Sequence, residues 1–372
     1  MPFVCSAALR FLSRCVGCCV AGTAVLAAAP GFAQVSYFTW ADLDDPPFFT
    51  EHLARGFAPP AVTIFADEDE AFAKLRAGFR PDVMGPCLYE IPRWRQTGLI
   101  QPIEVAQLTH WDSLSAAMKD MAFADAATVD TPEGHVWFVP QFWGETSVLY
   151  RADLLSDEDL AQGWEILWDP KYAGRTSALP GAIDTVTFVA HTLGIDPYAM
   201  DETAWGQVQD KLRALVGHVR LVSSDPTVLQ QALASGEVVA AMSWNSDFIE
   251  MKKDGHDVDW MRPDAGVFTW VCGLTLGAAV EDPAAVAQAL SLIDSSLSEG
   301  AGRYMVQDWG YGAANIRSYE GIDPAVHARN GLPADVETFL RTGIFQKRIP
   351  DSATGRTMED VIRRWEEIKA GL

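Results

Sequence analysis

Few residue sets in this chain have the types and spacing of a reaction centre. Beyond residue 33 there is no nucleophile elbow, no Walker-type phosphate loop and no His-Glu-x-x-His pair. The seven histidines, His52, His110, His135, His191, His218, His256 and His327, lack ligand-like spacing. Asp42, Asp44 and Asp45 offer hard oxygens to a cation such as calcium, yet the glycine and terminal glutamate of an EF-hand loop are missing. The paired carboxylates of glycoside hydrolysis are a spatial arrangement, and nothing in the sequence favours them. Cys87 and Cys272 are the only cysteines after residue 33. They form one bridge or stay as free thiols, and two are too few for a disulfide framework. All thirteen tryptophans also lie beyond residue 33. Most belong to the core, and the question is which of them line something.

The start of the chain addresses the compartment. Arg10 and Arg14 are the only charges among the first 33 residues, and an uncharged apolar stretch runs from Val16 to Ala29. Small residues at Gly31 and Ala33 then give the cleavage pattern of a secretory signal. The apolar run is shorter than the roughly 20 residues that a spanning helix needs. The expected product is a soluble periplasmic protein beginning near Gln34. Losing the two arginines makes the net charge of −22 two units more negative. Such a field repels nucleic acid and acidic membranes and attracts cations.

The elements that must position a site alternate between short strands and helices. Val62–Phe65 reads as a strand. Asp67 opens a helix, with Glu70 as capping-box partner and Ala71, Phe72 and Leu75 on one face. Asp82-Val83-Met84 reads as a buried strand before the Gly85-Pro86 turn. Val219–Val222 and Val238–Trp244 are further strands. Asp225-Pro226 and Asp282-Pro283 each give an N-cap followed by a first-turn proline. The last helix starts at Thr357, with Asp360 as its capping partner. Alternation of this kind means an α/β architecture with largely parallel sheets. No repeat, low-complexity tract or flexible linker interrupts it.

Eight segments in order resemble the periplasmic spermidine/putrescine-binding proteins that feed ABC transporters. They are Tyr37-Phe38-Thr39-Trp40-Ala41-Asp42; Pro81 to Tyr89; Gly98-Leu99-Ile100-Gln101-Pro102-Ile103; Val139-Pro140-Gln141-Phe142-Trp143-Gly144; Trp164 to Gly174; Met242-Ser243-Trp244-Asn245; Trp309-Gly310-Tyr311; and Gly343-Ile344-Phe345-Gln346. The resemblance implies a two-lobed α/β fold. Each lobe is a mixed, mostly parallel sheet flanked by helices, and crossing hinge strands join the two. Lobe 1 is expected over 34–140 and 272–320, lobe 2 over 141–271 and 321–372. It also implies capture of a small cationic solute by hinge closure, delivery to an inner-membrane permease, a monomer, no nucleic acid, no cofactor and no catalysis.

The ligand-binding set that the resemblance carries over is Trp40, Asp42, Cys87, Tyr89, Asp184, Trp244, Trp270, Cys272, Tyr311 and Gln346. Rings wall the methylene chain of an amine and carboxylates hold its ammonium groups. A cation over an indole face gains roughly 0.5–2 kcal/mol, and a buried ammonium needs a partner charge. A helix N-cap is the structural alternative for Asp184. The departures from the pattern matter as much. Cys87 replaces a serine, while Gly181 and Cys272 stand where acids are expected. The expected ligand is therefore an amine with one or two charges, or a quaternary ammonium, rather than spermidine. The same fold with an amino-acid derivative or anion is the alternative. A secreted hydrolase is the reading from a different class.

Overall fold

The computed structural model describes residues 34–371 apart from 42, 265 and 334. The expected export signal, residues 1–33, and Asp42 thus lie outside the described residues. One large mixed sheet organises the rest. Eight of its twelve strands form its continuous path; in chain order they are β1 (Ser36–Trp40), β2 (Ala61–Phe65), β3 (Val83–Met84), β4 (Val139–Arg151), β5 (Thr176–Ala178), β6 (Leu221–Val222), β7 (Ala240–Trp244) and β8 (Phe268–Gly277). Their spatial order is β2-β1-β3-β8-β4-β7-β5-β6. At one end β1 pairs in parallel with β2 and β3; at the other β5 pairs in parallel with β6 and β7. Among the described residues, every antiparallel pair in this sheet involves β4 or β8.

These two strands are the longest, at 13 and 10 residues, and they run through both halves. Strand β8 meets β3 at Thr275 and Leu276, while β4 meets β7 from Thr146 to Tyr150. Between those points β8 and β4 pair with each other, Phe268 opposite Thr146 and Trp270 opposite Gly144, with a bulge at Cys272/Gly273. A bulge adds local bend and twist, which suits strands that cross from one lobe to the other. Both strands are buried almost throughout. That explains why they read as near-continuous apolar runs rather than alternating ones.

The apolar side chains collect into separate cores. The first gathers Phe38, Phe65, Trp94 and Phe138 with Trp270, Leu292 and Leu340. The second gathers Trp164, Phe188, Leu212 and Met242 with Phe268 and Trp365, and a smaller cluster around Leu229, Phe248 and Trp260 lies beneath β7. The caps expected from sequence are in place. Asp225 accepts from the Val228 N–H and Asp282 from those of Ala284 and Ala285, each ahead of a first-turn proline. Thr357 and Asp360 form a reciprocal capping box. Asp67 caps Glu68–Arg76 by accepting from the Glu70 N–H, but the Glu70 carboxylate reaches past Asp67 to the N–H of Ala66.

Candidate functional site

Two of the expected wall residues belong to both halves of the molecule. Tyr89 and Trp244 are half-buried, and each packs against the first core and the second. They lie where the two cores meet. Tyr89 follows β3 on a short 3-10 turn, and Trp244 ends β7 and precedes helix Asn245–Lys253. Strand ends are where an open α/β sheet presents its ligand contacts.

Asp184 faces the same boundary from the second lobe. Helix Ala182–Thr192 begins after Gly181, which is its N-cap, so Asp184 sits in the first turn and is not itself the cap. An acid there is favoured by the helix N-terminus. A Cβ on Gly181 would come 2.8 Å from the Asp184 carboxylate, so the missing acid at 181 leaves the room that Asp184 occupies. The Gln346 amide donates to Asp184 Oδ1 at 2.9 Å. Burial pushes the Asp184 carboxyl above its ordinary range, opposed by hydrogen bonds from Gln346 and Trp244. These donors are neutral. A buried carboxylate held only by neutral donors is short of a counter-charge.

A second group of rings forms around β4 and β8. Trp270 lies across its cross-strand partner Gly144, where any Cβ would fall inside the indole. The neighbouring Trp143 points to the other face, against Phe339 at 4.9 Å and over Gly312. The Trp-Gly pair of the sequence thus serves two faces of one strand. Trp270 meets Tyr311 edge-on at 5.0 Å, and Phe142 stacks on Tyr311 at 5.7 Å. The Tyr311 hydroxyl is 2.6 Å from Ser246 Oγ. Among the described residues, the buried Trp270 Nε1–H has no acceptor, and neither has that of Trp40, whose ring rests on Phe65 at 4.7 Å.

Cys87 and Cys272, left open by the sequence, form a disulfide between the segment after β3 and the bulge of β8. They are buried and offer the cleft no thiol. The Cys87 N–H instead donates to Glu68 Oε1 at 2.7 Å. Glu68 was missed by the sequence reading, although the signal was present. Residues 68, 71, 72 and 75 share one helix face, and Glu68 is the charged member of an otherwise apolar stripe. The other omission is an ion-pair network joining the lobes. Buried Glu90 pairs with Arg93 at 2.7 Å and Arg348 at 3.3 Å, and Arg348 also holds Glu359 at 2.5 Å. Ile91 and Trp94, around Arg93, belong to the first core, and Met358, beside Glu359, belongs to the second.

Among the described residues, one group of side chains has the types and proximity of metal ligands. Glu51, His110 and Asp294 bring their ligand atoms within 4.8 Å of one another. The Arg55 guanidinium already pairs with Asp294 at 2.6 Å and with Glu51 at 3.3 Å, so a cation is part of that cluster. Among the described residues, no helix is long and apolar enough to cross a membrane.

Comparison with known proteins agrees with this architecture. The spermidine/putrescine-binding periplasmic protein of Escherichia coli K12 is 21% identical over 337 residues, covering 90% of this chain and 91% of that one. Among solved structures, the spermidine/putrescine ABC transporter substrate-binding protein of Streptococcus pneumoniae aligns with a TM-score of 0.70 at 16% identity, covering 91% of this chain and all of that one. A binding protein of A. tumefaciens B6 in complex with glucopine aligns with a TM-score of 0.67 at 12% identity, again over 91% and 100%. At such identities these structures show a shared two-lobed fold, while their ligands differ. The family model described as bacterial extracellular solute-binding protein matches residues 62–334, and the chain belongs to that family of ABC-transporter receptors.

Proposed function

We propose that this protein is the periplasmic receptor of an ABC importer for a small cationic amine, held between the lobes and released to an inner-membrane permease. The observation that carries this reading is Asp184. It is a half-buried carboxyl at the lobe boundary, with neutral hydrogen-bond donors and the Trp244 indole beside it. Burying an ionised carboxylate costs several kcal/mol unless a cation pairs with it. An ammonium group supplies that charge, and the indole faces of Trp244, Trp270 and Trp40 supply cation–π and apolar contact for its carbon chain. The first 33 residues act as a cleavable export signal in this reading. The lobes are 34–140 with 272–320, and 141–271 with 321–372. The receptor works as a monomer.

Gly181 and Cys272 favour a second reading of the same role. Two expected acids are gone, and the cysteine at one of those positions, Cys272, is committed to a disulfide. An amino-acid derivative with a single ammonium also satisfies Asp184. A thermal-shift screen of the mature protein separates the two. Short amines and quaternary ammonium compounds are expected to raise the melting temperature. Stabilisation by amino-acid derivatives or anions, with no response to amines, would favour the second reading. Turnover of any compound would point to a hydrolase instead.

A further inference from the structure

We infer that the Cys87–Cys272 disulfide is a positioning element of the binding site: it fixes the fork from which the wall rings Tyr89 and Trp270 diverge, and so sets their geometry before any solute arrives. This rests on the reading above that the two rings contact the solute, and it holds for any solute they contact.

Strands β3 and β8 run antiparallel, with Met84 opposite Thr275. Three residues further along the same register Cys87 stands opposite Cys272, and the two are joined through sulfur. Two residues more in that register would set Tyr89 opposite Trp270. The ladder stops short of this. The 3-10 turn Leu88–Glu90 carries Tyr89 away to pack against both cores, while Trp270 stays on β8 and lies across Gly144 of β4. The disulfide is thus the last tie before the two segments part with one ring each. The faces agree with this. Trp270 and Cys272 are two residues apart on one strand, so they share a face, and their partners on β4 are Gly144 and Phe142. The Phe142 ring meets Trp270 edge-on at 5.8 Å.

The non-covalent ties at the fork are backbone hydrogen bonds. The Gly273 N–H donates to Pro86 O at 3.1 Å, and the Cys87 N–H is spent on Glu68 Oε1 rather than on β8. On its other side Cys272 borders the bulge in the β8–β4 ladder, where pairing is locally disrupted. A covalent link at this point removes freedom that such bonds leave. Rigidifying a site in its bound geometry raises affinity by lowering the ordering cost of binding. The resemblance expects a serine at 87 and an acid at 272 as polar contacts; this chain has exchanged both for a tie next to two rings.

Cys87→Ala/Cys272→Ala is the informative variant, because it removes the sulfur link and keeps the backbone N–H groups of residues 87 and 273. Wild type and variant carry 5-fluorotryptophan, and the Trp270 fluorine resonance, assigned with Trp270→Phe, is read without solute. It is expected to be single in wild type and to broaden or split in the variant, while the resonance of Trp365, fully buried in the second core, stays unchanged. Calorimetry with 1,4-diaminobutane as probe is expected to show affinity lower by roughly five- to tenfold, as when the binding-competent conformer is only partly populated. A disulfide that serves stability alone would lower the melting temperature and leave the Trp270 resonance and the affinity unchanged, which overturns the inference. Wild type that binds no amine overturns the amine reading instead, and the Trp270 resonance then decides the inference by itself. Cys87→Val/Cys272→Ala refills the lost sulfur volume without the link, and also serves where the alanine variant folds poorly. It is expected to behave as the alanine variant does; a Trp270 resonance and affinity like those of wild type would show that packing positions the rings, and would overturn the inference.

Discussion

Replacing Asp184 by asparagine removes one charge and almost no volume, and two effects of opposite sign should follow. In the complex, an ammonium loses its buried counter-ion. Breaking a buried pair by removing one partner costs about 3–5 kcal/mol. At 1.4 kcal/mol per tenfold in affinity, the dissociation constant should rise by roughly two to three and a half powers of ten. In the ligand-free protein the same change should stabilise. Burial raises the Asp184 carboxyl above its unfolded value, so its favourable contribution is fully present below the unfolded pKa and is lost as pH rises through the raised one. Asparagine removes that loss and still accepts from Gln346, which holds Oδ1 at 2.9 Å. Affinity follows the reverse dependence. Wild type must ionise Asp184 to bind an amine, so binding should weaken as pH falls through the raised pKa and should release a proton. Calorimetry between pH 5 and 8 and thermal melts of both ligand-free proteins measure each arm. A variant that binds amines within threefold of wild type would refute the reasoning, whatever its melting temperature.

Two further outcomes follow from the surrounding geometry. Trp244→Ala should weaken amine binding at least tenfold and leave the fold intact, since the ring is only half-buried between the cores; calorimetry on the purified variant checks it, and unchanged affinity would remove Trp244 from the site. The Cys87–Cys272 disulfide closes a loop with a sequence separation of 185, worth about 5 kcal/mol in chain-entropy terms and typically 2–5 kcal/mol in practice; the double Cys→Ser variant should melt several degrees lower, and an unchanged melting temperature would show that the bridge does not form.

The legible part of the fold was the part governed by local rules. Asp225-Pro226, Asp282-Pro283 and the Thr357/Asp360 box announce helix starts because capping chemistry is confined to a few consecutive residues. Strands β2 and β3 were visible for a similar reason, as short apolar runs, while β1 was seen only through family likeness. The two strands that hold the molecule together were not read as strands. Val139–Arg151 and Phe268–Gly277 are buried on both faces, which erases the alternation that identifies a strand. Family likeness carried Trp244, Asp184, Gln346 and Tyr89, and the structure brings Asp184 together with Gln346 and Trp244. Asp42 falls outside the described residues. Glu68 was overlooked because a capping-box reading of Asp67 and Glu70 accounted for the acids around it, and the pairing of Cys87 with Cys272 depends on a bulge that no local pattern encodes.

Asp184, held by neutral donors, calls for a cation as its counter-charge in the bound state. Competition calorimetry on the mature protein with 1,4-diaminobutane, a quaternary ammonium, spermidine and a small organic anion tests that claim most directly. The expected order places an amine of one or two charges first, spermidine behind it and the anion without measurable binding. Binding of the anion, with none of the cations competing for its site, would contradict the account.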